Sequence, residues 1–472
     1  MIGCPLRWFA ALTVGVFAAS PLGAADAVGP APAWSYDEIV LHNGARFQGL
    51  ILNESTFGVD FQVVRRVPGR PTVTLTTRFS MREVATIRRL SDPERANLKE
   101  KIAELDPTGA GERRRMEALE LAAADWPGRT GTAMRYTSDQ FVLVSGAPEE
   151  ITRRAVVRLE QIYAAFARVL PARHAAARPT TVMLAGTLDD YRRLIGPSAG
   201  PLINPAIYDP VTNRIVCGSD LRRLGDELAA TRKAHAAQLA EVEKYDVSVR
   251  QLYKGSKPEL DRYLDVVARE RKRIYAADVA NSLRFDQATR RLFALLYHEA
   301  FHSYVGNFVY PPLPPADVRA GKGTGELPRW VNEGLAQMFE STFVEAGELR
   351  VGHADAERLG RVRALLSGKG GLVPVADLVK SEREAFLAAH AGQQASADRV
   401  YLTSWAVTFY LTFERRSVGT VEFDKYVAAL NSGTDSAAAF REWIGQDIPA
   451  FEKDLAQYLM RLQLDGTLEK KP

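Results

Sequence analysis

The chain has 472 residues, with Lys+Arg 61 against Asp+Glu 57 for a net charge of +4. That length allows two to four domains, and the charge surplus is too small to mark a nucleic-acid binder. Hydrophobic residues at 46% and charged residues at 25% exclude wholesale disorder. Cys4 and Cys217 are the only cysteines, so neither a disulfide framework nor a clustered-cysteine metal site can form, and any metal must be held by His, Asp or Glu.

The first residues read as a signal peptide, 1–25. A basic start (Met1–Arg7) precedes an apolar run (Trp8–Ala19) too short to span a bilayer comfortably, followed by the small residues Gly23, Ala24 and Ala25. Cleavage is expected near Ala25 or Ala27, giving a secreted or periplasmic protein with no membrane span in the mature chain. From 34 to 90 the pattern is of short strands: Ile39–Leu41, a His42-Asn43-Gly44 turn, then 46–52, 57–64, 72–78 and 84–87. Their spacing, with Leu41, Gly44 and Gly49, resembles the small Sm-like or SH3-like β-barrels. Ser91-Asp92-Pro93-Glu94 is a capping box, and 91–134 is expected to be a helical linker.

A second unit, 135–464, is expected to be α+β. Phe141–Val144 and Thr180–Leu184 read as strands around a helix over 148–170, and Ala206–Tyr208 and Arg214–Cys217 as a strand pair across Asp209–Asn213. Between 220 and 285 apolar residues recur at coiled-coil-like separations, interrupted at Gly255–Pro258; this predicts a helical hairpin inserted in the domain. Plain intramolecular packing and a partner-binding arm are its two readings.

The chemistry concentrates at His298-Glu299-Ala300-Phe301-His302. Histidines four apart share a helix face and can bind one Zn²⁺, while the intervening glutamate can act as general base toward the zinc-bound water. A third ligand is needed, and Leu327-Pro328-Arg329-Trp330-Val331-Asn332-Glu333-Gly334-Leu335-Ala336 offers Glu333 on a second helix opening after Pro328.

Together these motifs resemble the gluzincins, the thermolysin-type zinc peptidases of the peptidase-MA-like clan, in particular a secreted bacterial branch with a Pro-x-Trp-x-x-Glu-Gly-x-Ala segment. The resemblance implies a zincin-like catalytic domain with a small sheet and a helical C-terminal subdomain. It also implies one zinc per chain on His298, His302 and Glu333, and Glu299 as base and proton shuttle. The acid that often orients the first histidine, four residues after the third ligand, is here Gln337, which would support the ligand less strongly. Tyr401 is the candidate oxyanion donor, with His390 and His353 as rivals, and Tyr208–Cys217 could supply an edge strand for an extended substrate.

The expected function is therefore a secreted or periplasmic zinc endopeptidase acting on peptide or protein substrates. A second reading, from another class, is a catalytically weak or silent zinc-binding scaffold or envelope interaction protein. In it the barrel and the 220–285 hairpin are docking surfaces.

Overall fold

The computed structural model describes residues 34–66, 72–103, 110–175, 178–196, 205–321, 323–345, 348–368, 370–381, 385–386, 394–464 and 466–469; the expected signal peptide lies outside them. The N-terminal strands are β1 (Asp37–Leu41), β2 (Arg46–Glu54), β3 (Gly58–Arg65), β4 (Val73–Ser80) and β5 (Val84–Arg88). They pair antiparallel in the order β4-β3-β2-β1-β5 over a small core of Ile39, Val59, Phe61 and Phe79. Gly49 is required here because a Cβ would lie 2.0 Å from the Gln62 carbonyl across β2 and β3.

The expected barrel does not close: no ladder joins β4 to β5. The link between them is three residues, 81–83, so its roughly 14 Å reach curls the sheet. Its amides are used at the sheet's end, however, with Met81 N–H donating to Phe57 O and Glu83 N–H to Ser80 O. That course carries the chain across the end rather than alongside β4. Asp37, buried at the start of β1, accepts from the amides of Ile51 and Leu90 at 2.8 Å and pairs with Arg95, tying the sheet to the next helix.

The helical stretch that follows is shorter than expected. Helices α1 (Asp92–Ala103) and α2 (Ala110–Glu117) give way to strands β6 (Ala122–Trp126) and β7 (Arg129–Thr137). The alanines at 122–124 suit a helix, but Pro127-Gly128 forms a two-residue turn, with Gly128 at φ 78°, that folds this segment into a hairpin. β8 (Phe141–Ser145), α3 (Glu149–Val169), β9 (Thr180–Ala185), α4 (Leu188–Ile195), β10 (Ala206–Asp209) and β11 (Arg214–Gly218) complete the second unit's sheet. Its order is β10-β11-β9-β8-β7-β6, parallel only at β8–β9 and β9–β11. β10 is thus an edge strand, held on one side by β11.

The hairpin is α5 (Leu221–Leu252) returning as α6 (Lys257–Tyr304). It is not a self-contained insertion ending near 285: its return arm and the His298–His302 motif belong to one 48-residue helix, roughly 70 Å long. Nothing in 281–297 interrupts the helix, because the segment holds no Gly or Pro and alternates good helix formers with buried Leu292, Phe293, Leu296 and Tyr297. At the root of the arm, Arg158 of α3 donates to Asp286 of α6 at 2.7 Å and to Glu112 of α2 at 3.2 Å. Its guanidinium also stacks over Phe293, 4.7 Å from the ring centre. Arg154 lies over Phe285 in the same way.

A short π-helical turn, Val305–Val309, ends α6. After α7 (Pro315–Arg319) comes α8 (Arg329–Glu340), then the small hairpin β12 (Phe343–Glu345) and β13 (Glu348–Arg350), strands where the resemblance implied a helical C-terminal subdomain. Helices α9 (Ala356–Ser367), α10 (Val375–Leu378), α11 (Gln394–Phe409), α12 (Val421–Asn431), α13 (Ser436–Ile444) and α14 (Ile448–Arg461) form the C-terminal part. The fold is α+β as expected, and no described helix is long and apolar enough to cross a membrane.

Replacing Arg158 with Ala should leave Asp286 and Glu112 at the root of the arm to the longer contacts of Arg154, at 3.4 and 3.7 Å. Because Asp286 retains 40% side-chain exposure, the expected loss is at or below the low end of the ~3–5 kcal/mol typical of a broken buried pair. Denaturant unfolding of Arg158→Ala against wild type measures it.

Candidate metal centre

Leu296, Ala300 and Phe301 bury one side of α6 completely, which turns His298 and His302 together toward α8. There Pro328 precedes the first helical residue, and Trp330, Val331, Leu335, Met338 and Phe339 fill the core. Glu333 is left facing α6 at 2% exposure. His298 Nε2 and His302 Nε2 lie 3.0 Å apart, and they stand 3.5 and 3.6 Å from the two Glu333 carboxylate oxygens. Donor atoms bound at about 2.0–2.1 Å to a tetrahedral zinc ion stand roughly 3.3 Å from one another, so the three side chains fit such an ion.

The far nitrogens of both rings are also used. His298 Nδ1–H donates to Glu340 Oε1 at 2.6 Å, and His302 Nδ1–H to Asn332 Oδ1 at 3.0 Å. With Nδ1 the donor on each ring, both Nε2 atoms are presented to the same point. Glu340 is in turn bonded by Arg358 of α9, whose guanidinium also donates to the Gln337 carbonyl. Arg329 pairs with Glu333 Oε1 at 2.6 Å from one turn earlier on α8.

Charge in this pocket is tightly coupled. Burial opposes protonation of His298, but hydrogen bonds and charge from Glu333 and Glu340 hold its pKa well above the usual imidazole range. Burial pushes His302 down to about 4; the opposing pull of Glu333 is offset by His298 and Arg329. Burial alone would raise Glu333, yet His302, His298 and Arg329 bring it down to about 2.

His298, His302 and Glu333 form the one group of three or more His, Cys, Asp or Glu side chains among the described residues whose donor atoms converge closely enough to hold a metal ion. A family described as a protein of unknown function, DUF1570, matches residues 294–431. That span holds both motifs, Glu340 and Tyr401. No curated protein and no solved structure matches the chain.

Glu299 points elsewhere than its histidine neighbours. Its Oε2 accepts the Tyr208 amide of β10 at 3.0 Å. Burial raises its carboxyl pKa, against the pull of His298 and of that amide. Tyr401, half-buried on α11, donates a long bond to the Phe386 carbonyl at 3.4 Å. Burial, reinforced by Glu333, raises its hydroxyl pKa. Of its rivals, His353 is buried edge-on against Phe343 and is not in the metal group, while His390 lies outside the described residues.

The orienting residue expected at Gln337 is a correction. Gln337 Nε2 donates to the backbone carbonyls of Glu333 and Tyr401, and Glu340 takes the His298 Nδ1 proton instead. On a helix a step of four residues overshoots by about 40°, whereas a step of seven returns within about 20°. Glu340, seven after Glu333, thus shares its face. That spacing was a signal available in the sequence; Asn332, next to the ligand, carried none.

The two assignments separate experimentally. Loss of a partner to a metal-binding histidine typically lowers metal affinity about 10–100-fold. Glu340→Ala should show that loss in zinc competition titrations, while Gln337→Ala stays near wild type.

Proposed function

We propose that the chain is a secreted or periplasmic zinc endopeptidase of gluzincin type, with one zinc held by His298, His302 and Glu333. The observation that carries this reading is a fourth side chain, the acid Glu299, placed beside three convergent candidate metal donors but bonded to an edge-strand amide. Held by His298, His302 and Glu333, a zinc ion would supply Lewis acidity toward the scissile carbonyl and would lower the pKa of water.

The chain's own groups do the rest. Glu299, anchored through Oε2, keeps its other oxygen for the proton of the attacking water and delivers that proton to the leaving amine. Among the described residues β10 pairs with β11 on one side only; with the Tyr208 amide held by Glu299, the other backbone groups of its outer edge are left to receive an extended substrate. Tyr401, kept protonated by burial, is the proposed donor to the oxyanion; its weak bond to Phe386 is readily exchanged. The arginines near the ligands serve the protein's own carboxylates: Arg329 holds Glu333 and Arg358 holds Glu340.

A second reading, a zinc-bearing interaction protein, is favoured by the exposed Val247, Leu252, Val266 and Tyr275 along the hairpin. Catalysis separates the two. Glu299→Gln should retain stoichiometric zinc while hydrolysis of unfolded protein substrates falls about 10²–10⁴-fold, the range of general acid–base contributions. Undiminished hydrolysis by the zinc-loaded variant would overturn the mechanism, and no hydrolysis by wild type over a broad panel would favour the interaction protein.

Zinc should also stabilise the fold. At free zinc 100 times Kd the gain is about 2.7 kcal/mol, read as a chelator-sensitive Tm that His302→Ala abolishes.

A further inference from the structure

Asn213, the last residue of the turn between β10 and β11, has a left-handed backbone at φ 49°. Any residue but glycine adopts that conformation at a cost, though Asn tolerates it better than most. It is also buried, at 5% exposure. A glycine would make this turn without strain, so the side chain is where to look for a role.

That side chain is a junction of three elements. Asn213 Oδ1 accepts from Thr180 Oγ1 at the start of β9 (3.0 Å), from the Tyr208 hydroxyl on β10 (3.2 Å) and from Asn307 Nδ2 (3.0 Å). Asn213 Nδ2 donates to the Arg178 carbonyl at 3.3 Å. Asn307 lies in the π-helical turn that continues α6, five residues past His302, and Nδ2 also donates to the Ser303 carbonyl at 2.7 Å. Tyr208, clamped at its hydroxyl by Asn213, donates its amide to Glu299 on the same helix. The contacts close a ring: α6 through Asn307 to Asn213, to Tyr208, to Glu299 and back to α6.

We infer that Asn213 is a positioning residue for Glu299, fixing the β10 edge against α6 so that the Tyr208 amide holds one carboxylate oxygen and leaves the other directed at the reaction. The inference rests on the reading of Glu299 as the base. Asn213 itself touches neither ligand nor reacting atoms.

The test uses the full chain with zinc bound. Asn213→Gly removes the junction and relieves the positive φ, which limits the loss of stability. Asn213→Asp keeps an acceptor and tolerates the left-handed backbone. Amide hydrogen exchange at Tyr208 reports the anchor directly, with Glu299→Ala as the fully released reference. In Asn213→Gly the Tyr208 amide should exchange roughly 10-fold faster, the equivalent of one net hydrogen bond, with zinc content unchanged. On a peptide that wild type cleaves, kcat should fall by up to about 10²-fold, the effect of a misplacement near 1 Å, with little change in KM. Asn213→Asp should return both quantities toward wild type.

Wild-type exchange at Tyr208 in Asn213→Gly would overturn the inference. So would equal losses in Asn213→Gly and Asn213→Asp, since the acceptor would then be irrelevant. The exchange measurement needs no turnover, so a wild type that cleaves nothing would sink the peptidase reading while Asn213's hold on the anchor is still decided.

Discussion

A carboxylate at 2% exposure, Glu333, can stay ionised only in the company of positive charge. The helices that carry the site are arranged to supply it. His298 and His302 face it from α6, and Arg329 covers it from its own helix. How close α8 comes to the rest of the core is set by the next residue. A Cβ on Gly334 would lie 2.5 Å from both the Ser404 carbonyl and Thr408 Oγ1 of α11, so only glycine lets α8 lie this deep. Glu333 is therefore pressed toward α6 by packing on its opposite side. Glu340 and Arg358 extend the same logic outward, Arg358 meeting the Glu340 carboxylate, and the bonds of Glu340 and Asn332 to the histidines fix the ring orientations.

The continuity of α6 changes what the hairpin can mean. A rod of 48 residues that ends in the metal motif couples rotation of its arm to rotation of His298 and His302, unless something grips it between. Arg158 and Arg154, buried at the arm's root, are that grip: their bonds to Asp286 are directional, whereas the Phe285 and Phe293 faces beneath them alone would tolerate sliding. Tyr297, adjacent to His298, is buried beside the same charges. The histidines' azimuth is thus set on one side by this ionic root and on the other by the Asn307–Asn213 junction.

The parts legible in the sequence were those written in local periodicity. Five N-terminal strands, the β10–β11 pair, the helical hairpin and the start of α8 after Pro328 follow from alternation, turn residues and apolar spacing. The convergence of His298, His302 and Glu333 was readable because each lies on a regular helix. Errors arose where one local signal competed with another, as with the alanines of 122–124 against Pro127-Gly128, or where the boundary of an element was hidden, as at 285. Barrel closure was not readable, because it depends on where three linking residues spend their amides. The anchor of Glu299 was least accessible of all, since a backbone N–H ninety-one residues away leaves no mark in side-chain pattern.

Burial also bears on whether the centre is chemical or only structural. A metal that merely braces a fold is best served by a closed set of four protein donors, and an additional buried acid beside it adds repulsion and desolvation without adding a bond. Here three donors converge among the described residues, and a nearby acid that is not one of them, Glu299, is turned onto the edge strand β10. Among the described residues Glu299 makes no ion pair like that of Arg329 with Glu333 or Arg358 with Glu340, and burial raises its carboxyl pKa against the more distant pull of His298 and Arg329. A carboxyl in that condition is poorly suited to bracing. In the proposed reading it exchanges a proton, and the outer-edge groups of the same strand other than the Tyr208 amide receive an extended chain. That pairing of a proton-exchanging carboxyl with a peptide-receptive edge is the physical ground for preferring hydrolysis over scaffolding.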